Sequence, residues 1–427
     1  MSAKEEELLE EISGYLHGYL KSGKIKLNSF ISKINLNISN LEQLLTIRFL
    51  LKEETVKFVK DLPFLLHHFK TTTSIQNETH FGEVRGQIDW GQTIKERLAR
   101  NYKDPTIFSA NESVRSYHTP ENVVLKQLLL TLYSILYKDN YIKGFEKAKW
   151  FVDWNDLKGN VLDSIRKNIY LQRVDVQKVS DRMIQKTLNH RNRLYRDAAK
   201  LLLFYRSLMN GQYSKEDLEV LLRETFIAPD NVDVLFELYW VVQIIRQNTE
   251  NSRLHLLDGS QNMVASWETA DYSYIIYHDS TGSNDILFHV RSNEIADSNH
   301  PYLTKKYRSF TESRRLAQSI FGRKKEQFLW QGRPDILVEV YHKSTNQLDK
   351  IVIGEVKNTA NIDYAITGME ELLDYIYFMK NDRANYVLDS GTMVQGILCV
   401  GDIEFEQDGE KEIVKVVKTG MEFELMV

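Results

Sequence analysis

Two acids and an amine stand close together in one stretch of the chain. It runs Gln331-Gly-Arg-Pro-Asp335, then an apolar segment, the polar turn Ser344-Thr-Asn-Gln-Leu-Asp349, a second apolar segment, and Glu355-Val-Lys357. Two strands folded about a turn centred near residue 345 place Asp335 opposite residues 355–357, by counting outward along both arms. Alternation within the second strand sends Ile351, Ile353, Glu355 and Lys357 to one face. Two carboxylates and an ammonium thus gather at one end of a hairpin. Mg²⁺ takes oxygen ligands, typically one or two carboxylates plus waters and substrate phosphate oxygens. Asp335 and Glu355 are therefore candidate metal ligands, and the Val356 carbonyl is placed to supply a third. A bound Mg²⁺, or Mn²⁺ in its place, acidifies a water and stabilises the charge that builds on phosphorus. Lys357 would position or deprotonate that water and offset phosphate charge. The chemistry is phosphodiester hydrolysis. A solvated surface hairpin is the bland alternative. Against it, Ile351 and Ile353 lead into Glu355 on one face, and a carboxylate that continues an apolar row sits at the lip of a buried site.

The elements that must position these groups are set by a 427-residue chain, enough for two or three domains. Hydrophobic residues make up 42% and charged residues 27%, the balance of a globular protein rather than a disordered or membrane chain. No apolar run approaches the ~18 residues of a membrane span. The acidic, amphipathic start, MSAKEEELLEE, excludes a secretory signal. One cysteine, Cys399, excludes an intramolecular disulfide and a cysteine-based zinc site, and reads as a small buried hydrophobe in a cytoplasmic protein. The net charge of −4 means that any nucleic-acid surface must be local.

The first two thirds read as helical. Apolar residues recur at three- and four-residue spacing from Leu8 to Leu51. Residues 71–92, rich in Thr, Asn and Gly, suit a hairpin or an extended arm, with Gly86 in a turn and Asp89 at a strand end. Thr119 and Pro120 open a helix over 116–137, and further helices fall at about 177–209, 215–225 and 231–247. From residue 251 the texture changes to short alternating runs rich in β-branched and aromatic residues, interrupted by a single helix over 364–381. The expected fold class is α+β: a helical N-terminal two thirds, then a mixed sheet flanked by helices. The domains fall at 1–70, 71–228 and 229–427.

Pro334-Asp335, the apolar hairpin and Glu355-Val356-Lys357 together resemble the PD-(D/E)XK nuclease signature. The helix with Tyr364, Gly368, Glu371, Leu372 and Tyr375 is similar to the one behind the active site in that superfamily. The segment Asn231-Val-Asp-Val-Leu-Phe-Glu237-Leu-Tyr-Trp240 resembles its first core helix, where a glutamate supports the metal or its water; the resemblance thus adds Glu237 to the candidates. Upstream, Gly82-Glu-Val-Arg-Gly-Gln-Ile-Asp-Trp90 and Thr119-Pro-Glu-Asn122-Val-Val-Leu-Lys126 are similar to the McrC-like group, the nuclease subunits of McrBC-type modification-dependent restriction systems. These motifs span residues 80 to 380 in order, each of them short. The resemblance implies a metal-dependent cut of DNA in antiviral defence. It also implies a separate AAA+ GTPase or ATPase partner, because the chain contains no Gly-x-x-x-x-Gly-Lys-(Ser/Thr) loop of its own.

Local positive charge is concentrated just ahead of the hairpin. Lys305, Lys306, Arg308, Arg314, Arg315, Arg323, Lys324 and Lys325 face a single acid, Glu312, and are the candidate phosphate-backbone contacts. A second run, Arg182 to Lys200, reads as a solvated helix face. Trp330 and Gln331 stand where they could pack under the site or align a water. Two other functions fit the same sequence. One is a non-catalytic DNA clamp whose helical half docks on a ring NTPase. The other is a stand-alone repair or junction-resolving nuclease. A homo-oligomer is compatible with all three.

Overall fold

Residues 3–21, 24–26, 38, 40–323, 328–404, 410–411, 413–421, 423 and 425 are described by the computed structural model of the chain. They form two units, one of residues 45–221 and one of residues 1–44 with 222–427. The α+β expectation holds. Helices dominate the upstream region, and a mixed sheet flanked by helices follows.

In the unit of residues 45–221, the Thr-rich passage is strand β1 (Thr72–Phe81). It pairs antiparallel along its whole length with β3 (Ile107–Ser116), which also pairs with the short β2 (Gln87–Ile88). The sequence reading assigns no strand to 107–116. Its alternation is diluted by Asn111, Glu112 and Arg115, because much of this sheet faces water. Gly86 sits at φ +89°, where an added Cβ would lie 2.4 Å from the Asn111 carbonyl oxygen, so the turn before β2 needs glycine. Asp89 caps helix α1 (Trp90–Arg100) by accepting from the Gln92 amide. Thr119 likewise caps α2 (Pro120–Lys138). The helix expected over 177–209 is two helices, Asp181–Leu188 and Arg193–Met209, because Asn192 opens a new cap by accepting from the Leu194 amide.

The Asn122 and Lys126 pair at the head of α2 has a mechanical role. Asn122 is fully buried and donates to the carbonyls of Lys70 (2.9 Å) and Tyr117 (2.7 Å). Lys126 donates to the carbonyls of Leu171 and Val174. The head of one helix is thereby tied to four backbone carbonyls, at residues 70, 117, 171 and 174.

In the other unit, helix α3 (Val232–Asn248) is capped by Asn231 and leads into a sheet with eight strands among the described residues. Its strands are β4 (Arg253–Leu254), β5 (Met263–Glu268), β6 (Tyr272–His278), β7 (Ile336–His342), β8 (Gln347–Lys357), β9 (Met393–Val400), β10 (Glu410–Lys411) and β11 (Val414–Lys418), with α4 (Pro301–Phe321) before β7 and α5 (Ile362–Phe378) after β8. The order across the sheet is β10-β11-β9-β8-β7-β6-β5-β4. β4 to β8 form an antiparallel meander, and β8 pairs parallel with β9 through the crossover helix α5. Leu372 and Ile376 of α5 pack on Leu337, Ile351, Ile353 and Leu398, all buried. Each such side chain contributes about 1.5–3 kcal/mol. Helix α3 covers the opposite face.

Helix α4 corrects the expectation of a single helix within the strand region. Pro301 starts it and Gly322 ends it in the left-handed conformation, yet none of its 21 residues is buried. Its apolar residues, such as Leu303, Tyr307 and Phe310, are interrupted by Lys305, Lys306, Arg308, Glu312, Arg314 and Arg315, so the run reads as a basic stretch.

Replacing Asn122 with Ala removes the side-chain donor from the half-buried Lys70 carbonyl, at a cost of about 1–3 kcal/mol, while the Tyr117 carbonyl keeps the Thr119 amide. Urea denaturation of the full chain should show a loss of at least about 1 kcal/mol. A loss under about 0.5 kcal/mol would mean that these hydrogen bonds do not hold the head of α2.

Candidate active site

The β7–β8 hairpin pairs His342 with Gln347 and Tyr341 with Leu348, slips by one residue at a bulge after Val340, then continues from Val340–Lys350 to Ile336–Gly354. Asp335, one residue before Ile336, therefore meets the far end of β8. Its Oδ2 accepts from the Val356 amide at 2.8 Å. Its own carbonyl accepts from the Asp279 amide, also at 2.8 Å, which ties the start of β7 to the end of β6.

Glu355 is 3% exposed and continues the apolar row of Ile351 and Ile353 on the α5 face. Its Oε1 accepts from Lys357 Nζ at 2.6 Å, while Oε2 is buried without a hydrogen-bond partner among the described residues. Lys357 makes a second 2.6 Å bond to Glu371 Oε2 of α5, and its ammonium lies 5.4 Å from the centre of the Tyr364 ring. Gly368 makes room for the lysine stem, since a Cβ there would fall 2.7 Å from Lys357 Cγ. The ammonium is thus fixed between two carboxylates, one from each element of the strand–helix crossover.

Glu237 approaches from α3. Its Oε2 lies 2.8 Å from Nε2 of His278, the last residue of β6. Next to His278, Asp279 binds Lys21 (2.8 Å) and Arg333 (3.0 Å), so the rim carries positive charge.

Burial, then the negative charge of Glu237, raise the Asp335 carboxyl well above the ordinary aspartate range, against the Val356 amide, which favours the anion. Burial and the charge of Asp335 raise Glu355 in the same way, against its bond to Lys357. Burial alone would depress Lys357, but its bonds to Glu355 and Glu371 outweigh burial and hold its pKa above that of free lysine. Burial opposes ionisation of Glu371, and the Lys357 bond more than reverses this. Two carboxylates that resist ionising side by side form a site short of positive charge.

The donor set fits a hard divalent cation. Asp335 and Glu355 offer carboxylate oxygens, the Val356 carbonyl belongs to the same strand end, and the partnerless Oε2 of Glu355 is a buried acceptor in need of a donor or an ion. Glu237, Asp335 and Glu355 are nevertheless not drawn into a tight triad. Among the described residues, the one group of three such side chains with all ligand atoms within 4.8 Å is Glu78, His80 and Glu112 on β1 and β3, where His80 and Glu112 already pair at 3.0 Å.

Of the candidate DNA contacts, Lys305, Lys306, Arg308, Arg314 and Arg315 lie exposed along α4, and Arg323 is exposed just beyond it. Lys324 and Lys325 lie outside the described residues. Arg315 is engaged by Glu312. Trp330 packs on Tyr375 and Phe378 near the site, Gln331 is exposed, and Cys399 is fully buried, which raises its thiol pKa. Sequence reasoning does not single out His278, Asp279 or Arg333, nor does it link Glu371 to Lys357. These contacts cross between elements distant in sequence, and the one available signal is a histidine ending the apolar strand Tyr272–His278.

No protein-family model and no curated protein matches the sequence. Among solved structures, the chain is similar to a refined half-complex from a tetradecameric assembly of Thermococcus gammatolerans McrB AAA+ hexamers with bound McrC. The identity is 10% and the TM-score 0.22, over 98% of this chain and 71% of that one. No described helix is long and apolar enough to cross a membrane.

The two-carboxylate clamp on Lys357 gives a signed prediction for the metal-free protein. Removing an anion beside a cation lowers the pKa of the cation. Followed by NMR of ε-¹³C-labelled lysine, Lys357 should titrate above the ordinary ~10.4 in the native protein, lower in Glu371→Gln, and lower still in Glu355→Gln/Glu371→Gln, which removes both hydrogen-bonded anions. An unchanged titration in the double variant would show that the carboxylates do not hold the ammonium.

Proposed function

We propose that the chain is a Mg²⁺-dependent DNA endonuclease, the nuclease subunit of a McrBC-like defence system that works with a separate AAA+ NTPase. One observation carries the catalytic part. Asp335 is held by the Val356 amide at the end of β8, beside a buried Glu355 with one partnerless oxygen, and Lys357 is fixed next to them. Asp335, Glu355 and the Val356 carbonyl would hold the ion, with Glu237 supporting it or its water. A bound Mg²⁺ would supply an acidified water and charge stabilisation at phosphorus.

The chain's own groups do the rest. Lys357 is held as an ammonium, so it suits orienting the attacking water and countering phosphate charge better than removing a proton. Hydrolysis adds water at phosphorus and releases a sugar oxygen with a proton. The basic rim of Lys21 and Arg333, and the exposed cations of α4, suit a polyanion that must be drawn towards buried carboxylates.

The partner rests on the McrC-like motifs and on the missing P-loop. A surface for it is available on α1, where Trp90, Ile94 and Leu98 project at four-residue spacing and all are exposed.

With Mg²⁺ and the partner present, Asp335→Asn should abolish cleavage, and Lys357→Ala should lower it by roughly 10²–10³-fold or more. Both variants should keep the native circular dichroism spectrum, and EDTA should silence the native protein. Undiminished cutting by either variant removes the assignment. Native activity on unmodified branched DNA without any NTP would instead favour a stand-alone nuclease.

A further inference from the structure

Histidine 278 sits where a hydrophobe would pack more cheaply. It ends β6, its side chain is 1% exposed, and its ladder partner is Ile336, the residue that follows Asp335. One ring nitrogen, Nε2, lies 2.8 Å from Glu237 Oε2. The other, Nδ1, is buried without a partner among the described residues. A polar atom left unpaired inside a protein is an uncompensated cost. Features that break a local rule in this way concentrate where function requires them.

The surroundings show what the other nitrogen does. On α3, Leu235, Phe236, Leu238, Tyr239, Trp240, Val241 and Val242 are all buried, and Glu237 is the acid among them. An unrestrained glutamate at this position would turn towards water. Its carboxylate instead meets His278, whose ladder partner Ile336 follows Asp335 and whose next amide donates to the Asp335 carbonyl, so it stays at the strand ends that form the site. The strand end that restrains it is itself locked. The His278 amide donates to the Asn262 carbonyl at 3.0 Å, and the next amide, Asp279, donates to Asp335. With Nδ1 unpaired, the ring is assigned as the tautomer with its proton on Nε2, which donates to Glu237.

We infer that His278 is a positioning residue: it aims the Glu237 carboxylate at Asp335, so that an α3 side chain joins the metal environment formed at the β7–β8 strand ends. The inference rests on the metal-dependent reading above and adds to it the device that recruits the third acid. Outer groups that orient a metal's surroundings typically account for about 10–100-fold in metal affinity.

The test is isothermal titration calorimetry of the full, metal-free chain with Mn²⁺, run beside a DNA cleavage assay. Glu237→Gln and His278→Ala should each weaken Mn²⁺ binding about 10–100-fold. His278→Gln, which keeps a side-chain N–H at a similar reach, should restore most of the loss. In the Glu237→Gln background, His278→Leu should change nothing further, and this pair leaves no unpaired carboxylate should His278→Ala fold poorly. A merely structural histidine would lower stability without this pattern. Native-like Mn²⁺ affinity in folded His278→Ala, failure of the Gln rescue, or a further loss from His278→Leu on top of Glu237→Gln would each overturn the inference. The two readings fail separately. Mn²⁺ binding with the expected pattern but no cleavage refutes the nuclease and keeps the role of His278. Cleavage with unchanged binding in His278→Ala does the reverse. No Mn²⁺ binding by the native chain refutes both.

Discussion

The hydrogen bond from the Val356 amide to the half-buried Asp335 joins the start of one arm of a hairpin to the end of the other, and it does so beside a buried acid, Glu355. Two carboxylates held together away from water repel each other and lose hydration, and folding does not favour that arrangement unless other groups offset it. Most of the surrounding architecture can be read as that offset. The amide dipole stabilises one acid, Lys357 stabilises the other, and Glu371 and Gly368 keep Lys357 in place. The deficit of positive charge that remains is the physical reason to expect a cation.

The sheet makes this local conflict tolerable. Strands β6, β7 and β8 are packed between α3 and α5, and the buried Leu337, Ile351, Ile353, Leu372 and Ile376 fix the register that brings Asp335 to Val356. Close-packed interiors do not relax continuously, so a rigid core can hold groups that would otherwise separate. The parallel crossover from β8 through α5 to β9 then delivers Glu371 above the strand end that carries Lys357.

Much of this is legible in the sequence, for reasons that can be stated. The neighbourhood of Asp335 and the end of β8 follows from counting outward from the polar turn, because period-two alternation leaves little freedom of register, and the single bulge after Val340 shifts it by only one residue. The cap at Thr119 is local chemistry and is readable from the Thr-Pro-Glu-Asn run alone. What escapes is what depends on partners far away in the chain. Strand β3 is polar and gains its identity from β1, helix α4 buries nothing, and His278 becomes notable only when α3 places Glu237 against it.

Anomalous diffraction from Mn²⁺-soaked crystals tests the central claim most directly. A peak bounded by the carboxylates of Asp335 and Glu355 and the Val356 carbonyl, absent from Asp335→Asn crystals, is the predicted result. A structure with that pocket empty at saturating Mn²⁺, or with density only at Glu78, His80 and Glu112, would contradict it.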